Sequence, residues 1–539
     1  MNILLPEKSR ALSLAVSPDG RFAALVLVKD GKQQVWIRAL DSADITPLAG
    51  TDGAADPFWS PESRFIAFFA DSRLKKIERS GGPVQTICNA LGALGGTWNR
   101  NGVILIGGLW RPQTVSDAGG TPADLPGHMV TEIYPSFLPD GRHYVATRRG
   151  TGVWLGSIDG PIDDPGERRI LPDVSNAQVV APPSGGPVGA VIFTRAGTLT
   201  ALPFDLKKLE AAGEPYSVAD GVVARSFTPQ SVVSTSSTGL LAWVSGEGRN
   251  WQYVWRNRQG KDLGSAGEAG SDVRISPDGK RLLGDHLSGG LWVLEFATGV
   301  STRLGFDAAN MSPVWSPDGK DVAWFRPGDI YREAVNGAGK KQLLLKTDVL
   351  SFPKSWSPDG RYLIYAQVSP ATGSADLFAL AVAGDQGQLV LAGTPANEGQ
   401  GEFSPDGRWV AYTSNESGFS EIYVIPFPPT PNGGRWMVSR GGGVQPRWRR
   451  DGRDLFYISP DGTMMAVPVS TAPVFQAGIP QALFNTDMVD TGIRTGPMSW
   501  DIASGRETVP DYQRQIAGNI FSERNSELAP ERAEVTPAC

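Results

Sequence analysis

Few residues of this chain have the types and spacing that catalysis requires. Three histidines occur, His128, His143 and His286, and none has a second candidate ligand at metal-binding spacing. Cys88 and Cys539 form no C-x-x-C pair and no disulfide framework. A serine hydrolase needs a nucleophile elbow with glycine two residues before and two after the serine, and no serine here has both. The sialidase Asp-box is a turn whose glycine stands two residues after the aspartate. In 404–409, SPDGRW, Gly407 follows Asp406 directly. Asp163 and Asp164 are adjacent, which suits a solvated loop better than an acid/base pair. Arg440, Arg447, Arg449, Arg450 and Arg453 could together hold an anion, although a solvated turn is the simpler reading. What remains is a set of charged residues at one recurring place, Arg274, Glu402 and Arg447.

The recurring place is defined by a turn. In 312–325, SPVWSPDGKDVAWF, one apolar strand ends at Trp315 and another begins at Val322. Between them Pro317 presets φ, Ser316 and Asp318 can bond nearby backbone, and Gly319 can take the left-handed conformation that closes a hairpin. The turn or a relic of it begins at Ser17, Ser60, Asn99, Leu138, Pro183, Ser236, Ser276, Ser316, Ser357, Ser404, Arg449 and near Ala503. Steps of 43, 40 and 41 residues separate Ser17 from Ser60, Ser276 from Ser316 and Ser316 from Ser357. A large apolar residue precedes most turns, among them Trp59, Trp98, Trp315, Trp356, Phe403 and Trp448. The turn aspartates Asp19, Asp140, Asp278, Asp318, Asp359, Asp406 and Asp451 read as structural.

Four short strands per forty residues make the blade of a β-propeller. The predicted fold is all-β, with two tandem six-bladed propellers of four-stranded blades. The expected boundaries are 1–245 and 251–508, with a linker at 246–250. The pair 232–244 needs an outer strand, which 2–5 can supply. Residues 251–256 and the segment after them are outer strands that can complete the last blade near Trp500. The Pro- and Gly-bearing stretches 158–187 and 426–434 read as surface loops. The second residue before the turn is Arg274, Val314, Ser355, Glu402 or Arg447. It lies on the innermost strand, beside a central channel. Arg274, Glu402 and Arg447 are therefore the candidate binding rim, with ordinary hydrogen bonding between blades as the competing reading.

Composition narrows the function classes. The net charge is −6 and charged residues make up 20% of the chain, so there is no basic footprint for nucleic acid. No apolar run is long enough to span a membrane. Glu7, Lys8 and Arg10 interrupt the start too early for a secretory signal, which predicts a cytoplasmic chain as encoded. No cofactor is indicated.

The stretches 65–82 (FIAFFADSRLKKIERSGG), 198–206 (TLTALPFDL), 352–365 (FPKSWSPDGRYLIY), 403–427 (FSPDGRWVAYTSNESGFSEIYVIPF) and 441–457 (GGGVQPRWRRDGRDLFY) resemble TolB-like, PD40-class propellers of the WD40-like kind. More closely, they resemble the propeller region that follows the kinase domain of bacterial serine/threonine protein kinases. The resemblance runs to about residue 503. It implies a sensor or protein-interaction module without catalytic residues, and no H-R-D or D-F-G kinase motif is present. TolB-type relatives are exported, which competes with the cytoplasmic expectation. The expected function is a non-enzymatic scaffold that binds a protein or peptide. The alternatives are a sensor detached from a kinase, with a small ligand in the channel, and a propeller-class hydrolase. Residues 509–539 show no strand pattern and are expected to be a disordered tail, as a frameshift or truncation would leave.

Overall fold

The computed structural model describes residues 2–502, 515–518 and 532–537. Omitted within that span are 30–31, 109–110, 127–131, 149–150, 161–167, 183–184, 223–231, 246–251, 269–270, 286–289, 305–310, 327–328, 337–339, 370–373, 383–386, 431–432, 487–499 and positions 8, 91, 196 and 348. His128, His286, Asp163, Asp164, Cys539 and the expected linker 246–250 lie outside the described residues. Among those described, every regular element is a strand, and the strands form twelve antiparallel sheets.

The turn at the head of each hairpin is built by side chains as well as backbone. At Ser316 the hydroxyl donates to Asp318 Oδ1 at 2.6 Å and accepts from the Asp321 amide at 2.9 Å. Gly319 N–H closes the turn onto Ser316 O at 2.9 Å, with φ at +67°. A serine hydroxyl can donate and accept together, and here it does both. The same bonds recur at Ser17, Ser276, Ser357 and Ser404. The Ser316 hydroxyl and the Lys320 amide hold the Asp318 carboxyl below its ordinary range.

The chain divides into two compact units, Met1–Arg249 with Asn525–Cys539, and Asn250–Arg524. In the first unit the innermost strands are Ser9–Val16, Ala55–Trp59, Ala93–Trp98, Ile133–Phe137, Gln178–Val180 and Val233–Thr235. Each lies beside the next, and the last lies beside the first. In the second unit they are Ser271–Ile275, Met311–Trp315, Ser351–Trp356, Glu398–Phe403, Val444–Trp448 and Trp500–Ile502. Neighbours again touch in order and the last returns to the first, while Arg447 Nε donates to Trp500 O between the fifth and sixth at 3.2 Å. These are rings of sheets, the geometry of a β-propeller.

Each ring closes with strands from distant parts of the chain. In the first unit the closing sheet runs Val233–Thr235, Leu240–Ser245, Arg532–Pro537, Asn2–Leu4. In the second it runs Trp500–Ile502, Gln515–Gly518, Gln252–Asn257, Asp262–Glu268. The expectation of a disordered tail is corrected for two stretches of it. Gln515–Gly518 and Arg532–Pro537 are strands, and the remainder of 509–539 lies outside the described residues. Each fills a slot between two strand edges, so backbone hydrogen bonding rather than an apolar pattern makes it a strand. The reading of 158–187 as a loop is corrected too, since it contains Arg168–Leu171 and Gln178–Val180. Proline and glycine around these short runs mask their strand character.

The core lies between successive sheets. Ala15, Ala24 and Val26 of the first sheet pack on Trp59, Ile66 and Phe68 of the second. Trp409, Ala411 and Val424 pack on Trp448, Leu455 and Val467 in the same manner. The tryptophan before the turn also carries a specific bond. Trp59 Nε1 donates to Ala15 O at 2.9 Å, Trp315 Nε1 to Arg274 O at 3.0 Å and Trp448 Nε1 to Glu402 O at 3.1 Å. Each reaches the innermost strand of the preceding sheet, which fixes the height of one blade against the next. Trp59→Phe is expected to cost about 1 kcal/mol through the lost hydrogen bond. Trp59→Ala is expected to cost about 3–5 kcal/mol, because a cavity is added. Urea denaturation of the two variants beside the wild type checks both values.

Candidate functional site

The innermost strands are bent by a repeated β-bulge. Their pairing register shifts between Ala55 and Phe58, Ala93 and Gly96, Ile133 and Ser136, Ser271 and Arg274, Met311 and Val314, Gly399 and Glu402, and Val444 and Arg447. In each bulge one residue has positive φ: Asp56, Gly95, Tyr134, Asp272, Ser312, Gln400 and Gln445, at +46° to +82°. Six of the seven are not glycine, a conformation that side chains rarely adopt. A bulge bends its strand and re-aims the residues after it. The residue two places further on is the second before the turn, and it includes Arg274, Glu402 and Arg447.

At that position the side chain often bonds the next blade. Ser234 Oγ accepts from the Val16 amide at 2.9 Å, Thr97 Oγ1 from Phe137 at 3.3 Å and Ser355 Oγ from Phe403 at 3.1 Å. Asp501 Oδ2 accepts from the Ile275 amide at 2.7 Å, which closes the second ring. The bulge residues make a second belt. Ser312 Oγ donates to Asp272 Oδ2 at 2.7 Å, and the Gln445 amide donates to Gln400 Oε1 at 2.7 Å.

The second ring brings Arg274, Glu402 and Arg447 together. Arg447, 1% exposed, gives Nη1 to Glu402 Oε2, and its Nε lies 3.4 Å from Asp501 Oδ1. Arg274 reaches from the first innermost strand to the third, where Nη2 donates to Lys354 O at 2.6 Å. Lys354 is itself buried, with Nζ 5.5 Å from the centre of the Phe352 ring. Burial pushes the Glu402 carboxyl up to about 8 against the charge of Arg274. Burial also raises Asp501, and it lowers the Lys354 ammonium to about 8 against the charge of Asp272. Sequence reading missed Asp501, Lys354 and Asp272. Asp501 stands second before the weak turn near Ala503, so the positional rule could have found it. Nothing in the sequence marks the other two.

The first ring differs. Its innermost strands enclose a cavity of about 600 Å³. Thr97, Ser136, Asn176, Gln178, Ser234 and Thr235 line it, with Phe58 and Tyr134. The residues second before the turn are uncharged here: Ala15, Phe58, Thr97, Ser136 and Ser234.

Other sequence candidates resolve into turn structure. His143 Nδ1 lies 2.6 Å from Asp140 Oδ2 across its own turn. Arg449 pairs with Asp454 and Asp451, both at 2.7 Å. Arg450 donates to Ser276 O at 2.7 Å and to Pro277 O, tying the fifth turn of the ring to the first. Cys88 is a buried free thiol that burial pushes up to about 11. Among the described residues no group of three His, Cys, Asp or Glu could hold a metal ion.

Residues 300–474 match PD40, the TolB beta propeller domain. This stretch is a TolB-like propeller domain. It covers most of the second ring. An uncharacterized protein of Agrobacterium fabrum (strain C58) is 30% identical over 159 residues, which cover 28% of this chain and 52% of that protein. The chain thus spans about half the length of that relative. A structure assigned as TolB from Agrobacterium tumefaciens is 19% identical, covering 50% of this chain and 96% of its own, with a TM-score of 0.39. A structure of the tricorn protease is 11% identical, covering 90% of this chain and 63% of its own, with a TM-score of 0.32.

The buried carboxyl predicts a pH dependence. Unfolded Glu402 titrates near about 4.3, and folded Glu402 near about 8. Between these values the folded chain keeps a proton that the unfolded chain has lost, so stability falls as pH rises. Lys354 acts with the opposite slope above about 8. Glu402→Gln is expected to reduce the wild-type loss in melting temperature between about pH 5 and pH 8, with Glu398, pushed up to about 7 by burial, contributing to the remainder. Thermal denaturation across that range, read for both proteins, checks it.

Proposed function

We propose that the chain is a non-enzymatic scaffold of two six-bladed TolB-like propellers, 1–245 and 251–508 joined at 246–250, that binds a protein or peptide segment. The open cavity of the first ring carries this reading. Its hydroxyl and amide groups suit the donors and acceptors of a peptide main chain, and its aromatic walls suit apolar side chains. The turn aspartates bond within their own turns. Among the described residues no helix is long and apolar enough to cross a membrane.

Thr97→Arg places a long charged side chain in the cavity. The test is a pull-down from source-cell lysate with the purified chain, read by mass spectrometry. A reproducible protein partner is expected, with recovery reduced at least tenfold by Thr97→Arg while the melting temperature stays within a few degrees. Equal recovery by both proteins would remove the first cavity as the binding site.

A second reading, a small-ligand sensor of the kind found beside kinases, is favoured by the charged channel of the second ring. A small ligand would raise the melting temperature without protecting the surface loops from proteolysis, whereas a protein partner would protect them.

A further inference from the structure

In the channel of the second ring two buried guanidinium nitrogens have no acceptor among the described residues. Arg447 uses Nε on Trp500 O and Nη1 on Glu402, but its Nη2 is buried without a partner among the described residues. Arg274 uses Nη2 on Lys354 O, and its Nη1 is likewise buried without a partner. Each Nη nitrogen of a guanidinium carries two N–H donors, and a charged donor buried without an acceptor is strongly unfavourable.

At least four of the six neighbouring carboxylate oxygens are engaged. Glu402 Oε2 takes Arg447 Nη1. Asp501 Oδ2 takes the Ile275 amide, and its Oδ1 takes the Ile502 amide at 2.9 Å. Asp272 Oδ2 takes the Ser312 hydroxyl. Both guanidiniums belong to one site, because Arg274 acts electrostatically on Glu402 and Asp501 and Arg447 contacts the same two residues.

We propose that the channel of the second ring binds a small oxyanion, a carboxylate or phosphate group, held by Arg274 Nη1 and Arg447 Nη2. The oxygens of such a group match the N–H edge of a guanidinium, and charge-assisted bonds of this kind are the strong ones. The charge balance favours it. Arg274, Lys354 and Arg447 face Asp272, Glu402 and Asp501, and burial biases Glu402 and Asp501 toward their neutral forms. The site does not depend on protein binding at the first ring, so either can fail without the other.

The test uses the full chain and two probes, inorganic phosphate and acetate, against chloride at constant ionic strength. Thermal shift and titration calorimetry are the readouts. The expected result is a saturable rise in melting temperature with at least one probe, which chloride does not give. The probe with the lower half-saturation identifies the group. Arg274→Gln is expected to weaken this binding at least tenfold. Arg361→Gln, which alters a turn guanidinium 74% exposed to solvent, is expected to leave it unchanged. Arg447→Gln is a second variant of the site, used if circular dichroism shows that it folds. No saturable effect of either probe would overturn the proposal. So would an effect that survives Arg274→Gln at full strength, which would mark adventitious binding elsewhere.

Discussion

The structure depends on the bulge in the innermost strands. Seven of these bulges hold one residue in the left-handed region, and six of those residues have side chains. The cost is on the order of 1–2 kcal/mol at each such residue. Such strain persists only where the surroundings over-determine it. Here the surroundings are the ring itself. The bulge turns one side chain toward the next blade, where it accepts an amide hydrogen, as Thr97 does from Phe137 and Ser136 from Val179. A single blade could not hold this geometry, since half of each contact belongs to its neighbour.

The turn and the tryptophan serve the same end from the opposite edge. The turn serine is buried, with 0% exposure at Ser17, Ser276 and Ser404, and its hydroxyl both donates and accepts within the turn. That leaves the tryptophan before it free to bond the preceding blade. Burial of apolar surface supplies most of the stability. Indole and amide bonds set the stagger, because they are directional where apolar contact is not.

The two rings spend the same position differently. In the first unit serine and threonine at the second place before the turn bond the next blade and leave an open cavity. In the second unit Arg274, Glu402 and Arg447 cannot all act as hydroxyl acceptors. They bond one another and the backbone across the channel, with Lys354 and Asp501. One channel is therefore open and lined by hydroxyl, amide and aromatic groups with Asp56 at a bulge, and the other is bridged by Arg274. This difference in chemistry separates the two units although both are built as rings of antiparallel sheets.

The sequence alone determined the turn, the forty-residue period and the all-β class, because each is local. S-P-D-G closes a hairpin through its own side chains, whatever surrounds it. It also placed Arg274, Glu402 and Arg447 on the innermost strand, since a fixed offset from a turn fixes a position in the blade. Other features were decided by tertiary structure. The bulge was invisible because Asp56, Asp272 and Gln400 carry no glycine signal, and only the closed ring holds them left-handed. Gln515–Gly518 and Arg532–Pro537 were unreadable as strands, because the edges beside them create the demand for one. Lys354 is an ordinary lysine in sequence, and its burial and lowered affinity for a proton arise from the blades around it. Local patterns are written in the residues that form them, whereas contacts between blades need both partners in place.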